Sequence, residues 1–268
     1  MPAAFFRGHI PKIDAEHLGG ELMNVKNLFR IVKKDWMEVK SNKNILVPLL
    51  LIPALLSVII PLFLVLPTLN SAGVAAFLIT TDLITKPLLL MIPTFAALII
   101  ASDSIAGEKE RKTIESFLVL PLTDREILIG KVLSALIPSL VASWISFLLM
   151  GFTLNIAGRP NLGTYIIIFG DASWWLLESL LVTIISFMTT LFMVLISAIV
   201  RNVRVAQQYA LIAITPIAGL LIAGISQAFV LDVNGILILS GILGAIVLGL
   251  AYITTRRLNR EKLILAVD

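Results

Sequence analysis

Six apolar stretches, each of about 20 residues or more, restrict what this chain can fold into more than any other feature of its sequence. A helix of roughly 20 apolar residues crosses the hydrocarbon core of a bilayer, which is about 30 Å thick. The sequence therefore predicts an all-α, polytopic membrane protein with six transmembrane helices. The predicted spans, numbered one to six in chain order, are Ile45–Leu66, Leu88–Ala106, Ile127–Asn155, Leu176–Val200, Val205–Ala228 and Gly235–Thr255.

The composition supports a membrane protein and excludes several kinds of chemistry. Hydrophobic residues make up 58% of the chain and charged residues 14%, whereas soluble domains have about 45–50% and about 25%. The absence of cysteine excludes disulfides, iron–sulfur clusters and thiolate zinc sites. His9 and His17 both precede the first span, and no H-E-x-x-H motif or membrane-embedded pair of carboxylates occurs. We expect no catalytic residue, metal site or bound cofactor in this chain.

The distribution of basic residues predicts the orientation. Lysine and arginine concentrate on the cytoplasmic side of short loops. Of the 21 such residues, all except Lys86 and Arg159 lie on one side of the predicted spans. That side, which includes both termini, is therefore expected to face the cytoplasm at the cell membrane. The basic residues on this side also account for the net charge of +4, so the charge does not require a nucleic-acid partner. Trp174 and Trp175 are placed to join an aromatic belt at the outer interface.

The segment before span one has the pattern of a basic amphipathic helix. We divide the chain into an N-terminal extension (residues 1–22, with Met23 as an alternative start), an elbow helix (residues 23–44) and a transmembrane domain (residues 45–268). Apolar residues recur at helical spacing in the elbow helix: Val25, Leu28, Phe29, Val32, Trp36 and Val39. Basic residues lie between them: Lys26, Arg30, Lys33, Lys34 and Lys40. Such a helix is expected to lie in the membrane interface; the alternative is a soluble helix packed on a partner.

Residues 107–126 form a patterned loop between spans two and three. Gly107 is expected to act as a hinge where the chain leaves span two. Beyond Gly107 the sequence predicts a short helix that ends before Pro121. Its spacing predicts two ion pairs between residues i and i+4: Glu108–Lys112 and Arg111–Glu115. Its other face carries three apolar residues: Ile114, Phe117 and Leu118.

A helix-capping pattern marks the start of span three. Thr123 and Glu126 are spaced as a capping box, with Leu122 and Ile127 as the hydrophobic staple across it. The loop therefore joins two spans through a short helix with charges on one face and apolar side chains on the other. A helix of this kind is suited to being held by another protein.

The loop resembles the first cytoplasmic loop of ABC-2 type transporter permeases. The resemblance rests on the residues SIAGEKERKTIESFLVLPLTDREILIGK, with a glycine–glutamate start, a Thr-Ile-Glu centre, a proline followed by a threonine, and a Gly-Lys in the next span. The matching residues are Gly107, Glu108, Glu110, Arg111, Thr113, Ile114, Glu115, Pro121, Thr123, Glu126, Gly130 and Lys131. Where the family usually has glycine before the threonine, this chain has Lys112. The elbow helix and the six-span plan are also similar, and the motif resemblance covers Asn24 to Lys131.

The resemblance implies a permease subunit that works as a dimer, in which a coupling helix of this loop binds a separate cytosolic ATPase. The residues assigned to ATPase coupling are Gly107, Glu108, Glu110, Arg111, Thr113, Ile114, Glu115, Phe117 and Leu118. The sequence agrees on one independent point, because no G-x-x-x-x-G-K-[ST] phosphate loop occurs. The chain is therefore expected not to be an enzyme, and ATP and Mg²⁺ are expected on the partner ATPase.

Polar residues in and beside spans four and five are the candidates for a substrate path. We assign that role to Glu178, Thr189 and Gln207. For Glu178 the favoured alternative is a carboxylate that reaches the outer lipid headgroups. For Thr189 and Gln207 the alternative is hydrogen bonding within or between helices.

The expected function is ATP-driven export of a small or amphipathic substrate. Two other functions stay open: an ion-gradient-driven secondary transporter and a membrane scaffold that transports nothing. Secondary transporters usually have internal repeats and charged or broken helices near the midplane, which this sequence does not show. A scaffold has no need of so defined a loop. Co-purification with an ATPase separates the first function from both alternatives.

Overall fold

The structure, a computed structural model, describes residues 25–113, 122–162, 167–200, 202–209 and 231–257, together with the single positions 212, 215 and 219. Helix accounts for 92% of the described residues and none of them lies in a strand, which confirms the all-α class. The helices are α1 (Val25–Ser41), α2 (Lys43–Ile60), α3 (Leu66–Glu110), α4 (Asp124–Leu162), α5 (Ala172–Leu176), α6 (Thr183–Ile199) and α7 (Val233–Arg257). Two π-helical turns, Pro61–Val65 and Leu177–Val182, connect α2 to α3 and α5 to α6.

Four continuous helical segments of the described residues are long and apolar enough to cross a membrane. They are Ile45–Glu110, Arg125–Gly158, Ala172–Ile199 and Val233–Tyr252. The last three contain predicted spans three, four and six almost completely. Predicted span five starts in the helical residues 203–209, and most of it lies outside the described residues. The total of six spans therefore stays a prediction.

The first of these segments contains predicted spans one and two. Its 66 residues would extend about 100 Å as one straight helix, about three times the thickness of the bilayer core. The helix is broken at Gly73, whose φ of 83° and ψ of 177° are not helical. That backbone conformation is essentially restricted to glycine, since a Cβ would clash there. Gly73 therefore divides this continuous segment into two helical parts.

The buried core forms two clusters along the bundle. The first contains Phe77 together with buried residues of α3, of α4 and of the second π-helical turn: Leu89, Leu90, Phe147, Met150, Leu177 and Leu181. The second contains several alanines, which allow helices to approach closely in a membrane: Ala96, Ala101, Ala135, Ala142 and Ala198. Both clusters include residues of α3, α4 and α6, so these three helices form the centre of the described bundle.

Helix α1 packs against the bundle along a face that overlaps only in part with the predicted apolar face. Its buried residues are Leu28, Ile31, Asp35 and Val39. Gly130 of α4 allows the close contact, because a Cβ at this position would lie 2.8 Å from Cγ2 of Ile31. Of the predicted apolar face, Leu28 and Val39 are buried, whereas Val25, Phe29 and Trp36 are exposed. The apolar arc of α1 is wider than one helix contact covers, so one edge of it is left outside the bundle.

Candidate functional site

The end of α3 is closed by a defined hydrogen-bonding pattern, and it lies beyond the predicted hinge. Helix α3 continues through Gly107 to Glu110, so the prediction of a hinge at Gly107 is wrong. The reversal occurs at Lys112, which has a φ of +56°. The backbone N–H of Lys112 donates to the carbonyl of Lys109, and that of Thr113 donates to the carbonyl of Glu108. This is a Schellman motif, in which the left-handed position is most often glycine.

Four charged side chains meet where α1, α3 and α4 come together. We call Lys34, Asp35, Glu108 and Lys131 the charge cluster. The Nζ atom of Lys131 lies 3.1 Å from Oδ2 of Asp35 and 3.0 Å from Oε1 of Glu108. Lys34 Nζ lies 2.5 Å from the same oxygen of Glu108. Glu108 was predicted to pair with Lys112; it is instead bound by lysines of α1 and α4.

Burial makes this cluster energetically important. Lys131, Glu108 and Asp35 are all buried, and the hydroxyl of Ser134 donates to Oδ2 of Asp35 at 2.9 Å. An ammonium group removed from water is stable only when carboxylates and hydrogen bonds compensate its charge. The two lysines and two carboxylates balance to zero net charge. The cluster therefore fixes α1 to both helices that flank the loop.

A second layer of polar contacts surrounds the charge cluster. Arg111 contacts Glu38 of α1 at 2.6 Å and Asp103 of α3 at 3.3 Å. It was predicted to pair with Glu115, which lies outside the described residues. The amide of Asn27 donates to Oε1 of Glu126 at 3.2 Å, which adds another bond between α1 and the start of α4.

The capping box at the start of α4 is confirmed. The backbone N–H of Thr123 donates to Oε2 of Glu126 at 2.8 Å, and the N–H of Glu126 donates to Oγ1 of Thr123 at 3.3 Å. Leu122 packs with Ile127 as the predicted staple, and Ile31 of α1 joins them. The helix end after the loop is therefore as firmly defined as the one before it.

The other predicted coupling residues divide into two groups. Glu110 accepts a hydrogen bond from the backbone N–H of Val203 at 3.3 Å, and Thr113 donates to the carbonyl of Glu108. The remaining ones lie outside the described residues: Ile114, Glu115, Phe117 and Leu118. The structure thus describes both anchors of the loop, while the coupling helix between them stays a prediction.

Sequence reasoning missed the importance of Asp35 and Lys131. Asp35 lies at helical spacing in the buried stripe of α1, between Ile31 and Val39. Lys131 was included only as part of a motif, although it lies inside an apolar span. A carboxylate on the packed face of one helix and a lysine within the next span would have indicated a pair.

Glu178 lies inside the protein. It belongs to the π-helical turn Leu177–Val182 and is 0% exposed. Oε1 accepts a hydrogen bond from the hydroxyl of Ser143 at 2.8 Å. Oε2 has no hydrogen-bond partner in the described part of the chain. The interpretation that Glu178 reaches the lipid headgroups is therefore wrong, because its carboxylate points towards α4.

The other two path candidates do not lie with Glu178. Thr189 is buried, and its hydroxyl donates to the carbonyl of Ile185 in its own helix. Gln207 is exposed in the helical residues 203–209. From Glu178 to Ile199 the helical segment extends roughly 30 Å, so Gln207 follows the opposite end of it.

Lys86 is a buried group that the sequence placed in an outer loop. It lies inside α3, 3.2 Å from Oδ1 of Asp82, and donates to the carbonyl of Leu231 at 3.0 Å and to Oγ of Ser173 at 3.1 Å. Its Nζ atom is 5.1 Å from the ring centroid of Trp174. Trp174 is buried, which contradicts its predicted place in an aromatic belt at the outer interface. Trp175 is exposed.

Asp171 fixes the chain beside the Lys86 contacts. Its side chain is the N-cap of α5 and accepts from the backbone N–H of Ser173 at 2.9 Å and from its hydroxyl at 2.7 Å. Burial by itself raises the pKa of Asp171, but the two hydrogen bonds from Ser173 and the charge of Lys86 outweigh it and hold the pKa below the usual value.

Comparison with known proteins gives one match. A family model described as "ABC-2 family transporter protein" matches residues 21–236. The match includes α1, the charge cluster, Glu178 and Lys86, and it extends well beyond the motif residues of the loop. The comparisons with curated proteins and with solved structures found no match.

Proposed function

The chain belongs to the ABC-2 family of transporter proteins and is thus a membrane component of an ABC transporter; from this premise we propose that it forms the pathway for ATP-driven export of a small or amphipathic substrate. A separate cytosolic ABC ATPase supplies the energy. Family membership favours this function over an ion-gradient-driven transporter or a scaffold.

The observation that carries this proposal is the bridge made by Lys131. Its ammonium group binds Asp35 on α1 and Glu108 at the end of α3, while its own helix α4 begins after the loop. A displacement of the loop by an ATPase would therefore move α1, α3 and α4 together.

Both anchors of the loop support transmission of such a movement. The Schellman motif around Lys112 ends α3, and the capping box of Thr123 and Glu126 begins α4. Residues 114–121, which include the predicted coupling helix, connect these two fixed ends. The apolar residues Ile114, Phe117 and Leu118 would bind a groove of the ATPase, and the neighbouring charges would orient the contact.

The exposed side of α1 supports an interfacial position for the elbow helix. Val25, Phe29 and Trp36 are exposed apolar residues, and Arg30 and Lys33 are exposed basic residues of the same helix. Apolar side chains beside basic ones are typical of helices that lie at the surface of a bilayer. The interfacial position of α1 and the distribution of lysine and arginine together support six spans with both termini on the cytoplasmic side of the cell membrane.

A second copy of the chain completes the proposed transporter. Much of α7 is exposed in the protomer, including Ile238 and Leu248. At Gly241 and Gly249 an added Cβ would meet no atom within 4 Å. Small residues on an open helix face allow close packing of another helix, which supports a homodimer.

The test uses the chain together with an ABC ATPase encoded beside it. We expect the two proteins to co-purify from detergent, and we expect the reconstituted complex to hydrolyse ATP faster than the ATPase alone. Inverted vesicles should accumulate substrate only with ATP, while a Walker-A lysine variant of the ATPase serves as the control. Failure to co-purify, together with hydrolysis that is independent of the permease, would contradict the proposal.

A further inference from the structure

We propose that Glu178, with Ser143, binds a positively charged group of the transported molecule, which makes the substrate class an amphipathic organic cation. This inference rests on the proposed function and adds to it the chemistry of the substrate. It concerns a site on the π-helical turn Leu177–Val182, separate from the charge cluster.

The first argument is the unused bonding capacity of the Glu178 carboxylate. Ser143 occupies Oε1, whereas Oε2 has no partner among the described residues. The two buried lysines that the structure describes already bind carboxylates, Lys86 that of Asp82 and Lys131 those of Asp35 and Glu108. None of the ion pairs found in the described part of the chain includes Glu178. A carboxylate buried in a bilayer without a cation is unfavourable, and such groups mark substrate pathways.

The second argument is the geometry that directs Glu178 inwards. A π-helical turn inserts one residue and so changes the direction of the side chains within it, and such turns are frequent at functional sites. Here the turn places the carboxylate against Ser143 of α4. Ser139 precedes and Ser146 follows on the same face of α4, and both are fully buried. Each of these two hydroxyls donates to a carbonyl of its own helix, so each retains an acceptor lone pair. A face rich in acceptors favours a cation over an anion.

The third argument is an aromatic group beside the carboxylate. Trp175 precedes Glu178 by three residues, and Phe147 follows Ser143 by four, so both residues lie within about one helical turn of the pair along their helices. The ring centroids of Phe147 and Trp175 are 5.3 Å apart, and those of Trp144 and Trp175 are 6.4 Å apart. Aromatic faces bind organic ammonium groups through cation–π attraction. Phe147 is buried and Trp175 is 40% exposed, so the aromatic group extends from the protein interior to its surface.

These features together favour an organic cation over a hydrated inorganic ion. The carboxylate would bind the charge, the hydroxyls would accept N–H bonds, and the rings would bind the apolar part of the molecule. Buried hydroxyls and rings offer little to an ion that keeps its water, whereas they suit an amine attached to an apolar body.

The test measures binding of radiolabelled tetraphenylphosphonium, rhodamine 6G and tetramethylammonium to the purified full chain. Glu178→Gln keeps the shape of the side chain and removes its charge. We expect it to weaken binding of the best probe by at least tenfold, while Glu178→Asp keeps part of the affinity. Ser179→Ala is the matched control, because Ser179 lies in the same turn, is exposed and donates only to the carbonyl of Trp175 among its described bonds. We expect wild-type affinity for this control.

Two results would overturn the inference. One is equal affinity of Glu178→Gln and the wild type for every probe, and the other is absence of saturable binding of all three probes to the wild type. Because binding is measured without ATPase or ATP, the result of this assay does not depend on the proposed function. ATP-driven transport of a neutral or anionic substrate without cation binding would refute only the cation site. Cation binding without ATP-driven transport would refute only the proposed function.

Discussion

Replacing Lys131 by methionine tests whether the charge cluster holds α1 to the bundle. Methionine fills a similar volume without a charge, so the variant leaves Asp35 without its cation. Glu108 keeps Lys34 as a partner at 2.5 Å, whereas Asp35 keeps only the hydroxyl of Ser134 in the described contacts. Removing one partner of a buried ion pair costs about 3–5 kcal/mol. Because Glu108 remains paired, we expect a value near the lower end, about 3 kcal/mol.

A double variant separates the lost pair from a general packing defect. Asp35→Asn in the Lys131→Met background removes the uncompensated charge and leaves the Lys34–Glu108 pair balanced. Replacing both members of a buried pair by neutral groups is often nearly without effect on stability. We therefore expect Asp35→Asn to restore most of the stability that Lys131→Met loses. The two residues should show strong coupling in a double-mutant cycle.

The assay is thermal unfolding of the purified protein in detergent. A loss of about 3 kcal/mol corresponds to a Tm decrease of about 6–12 °C for a chain of this size. Arg30→Gln is the control, since Arg30 is an exposed basic residue of α1 outside the charge cluster. The Tm of this variant should stay within about 1 °C of the wild type, because ordinary surface substitutions have small effects on stability. A Tm for Lys131→Met as high as that of Arg30→Gln would refute the reasoning. So would a double variant that is less stable than Lys131→Met alone.

Three further predictions concern the loop and the topology. Lys112→Gly should raise stability by roughly 1 kcal/mol, since Lys112 has a positive φ that glycine adopts without strain; a lower Tm than the wild type would contradict this. Phe117→Asp should weaken association with the ATPase at least tenfold in a pull-down titration, while Lys33→Gln should not, and undiminished association would remove Phe117 from the contact. In whole cells, a single cysteine at Asp232 should react with an impermeant thiol reagent and one at Lys112 should not; the reverse pattern would invert the proposed orientation.

The sequence by itself predicted the features that depend on local pattern. Apolar stretches of about 20 residues predicted the helical class, and helical spacing predicted α1. The capping box of Thr123 and Glu126 needed only residues three positions apart, and its two bonds are present. The loop motif indicated the family, which the match over residues 21–236 confirms.

Tertiary structure decided which charges meet. The local rule paired Glu108 with Lys112, a contact worth about 0.2–0.5 kcal/mol on an exposed helix. Helix α3 ends before that pair can form, because Lys112 adopts the left-handed conformation. Glu108 binds Lys34, 74 residues away, and Lys131 binds Asp35, 96 residues away. Leaving a buried lysine or carboxylate without a partner costs several kcal/mol, so the distant pairs outweigh the local one.

The same reason explains the positions of the buried ionisable residues within the spans. For Glu178 the sequence left open a place on a substrate path or a position at the outer headgroups, and for Lys86 it predicted the outer face. Their partners, Ser143 for Glu178 and Ser173 and Leu231 for Lys86, are on other helices or at their ends. A sequence shows that such a group needs a partner in the membrane, but the packing of the helices determines which partner is within reach.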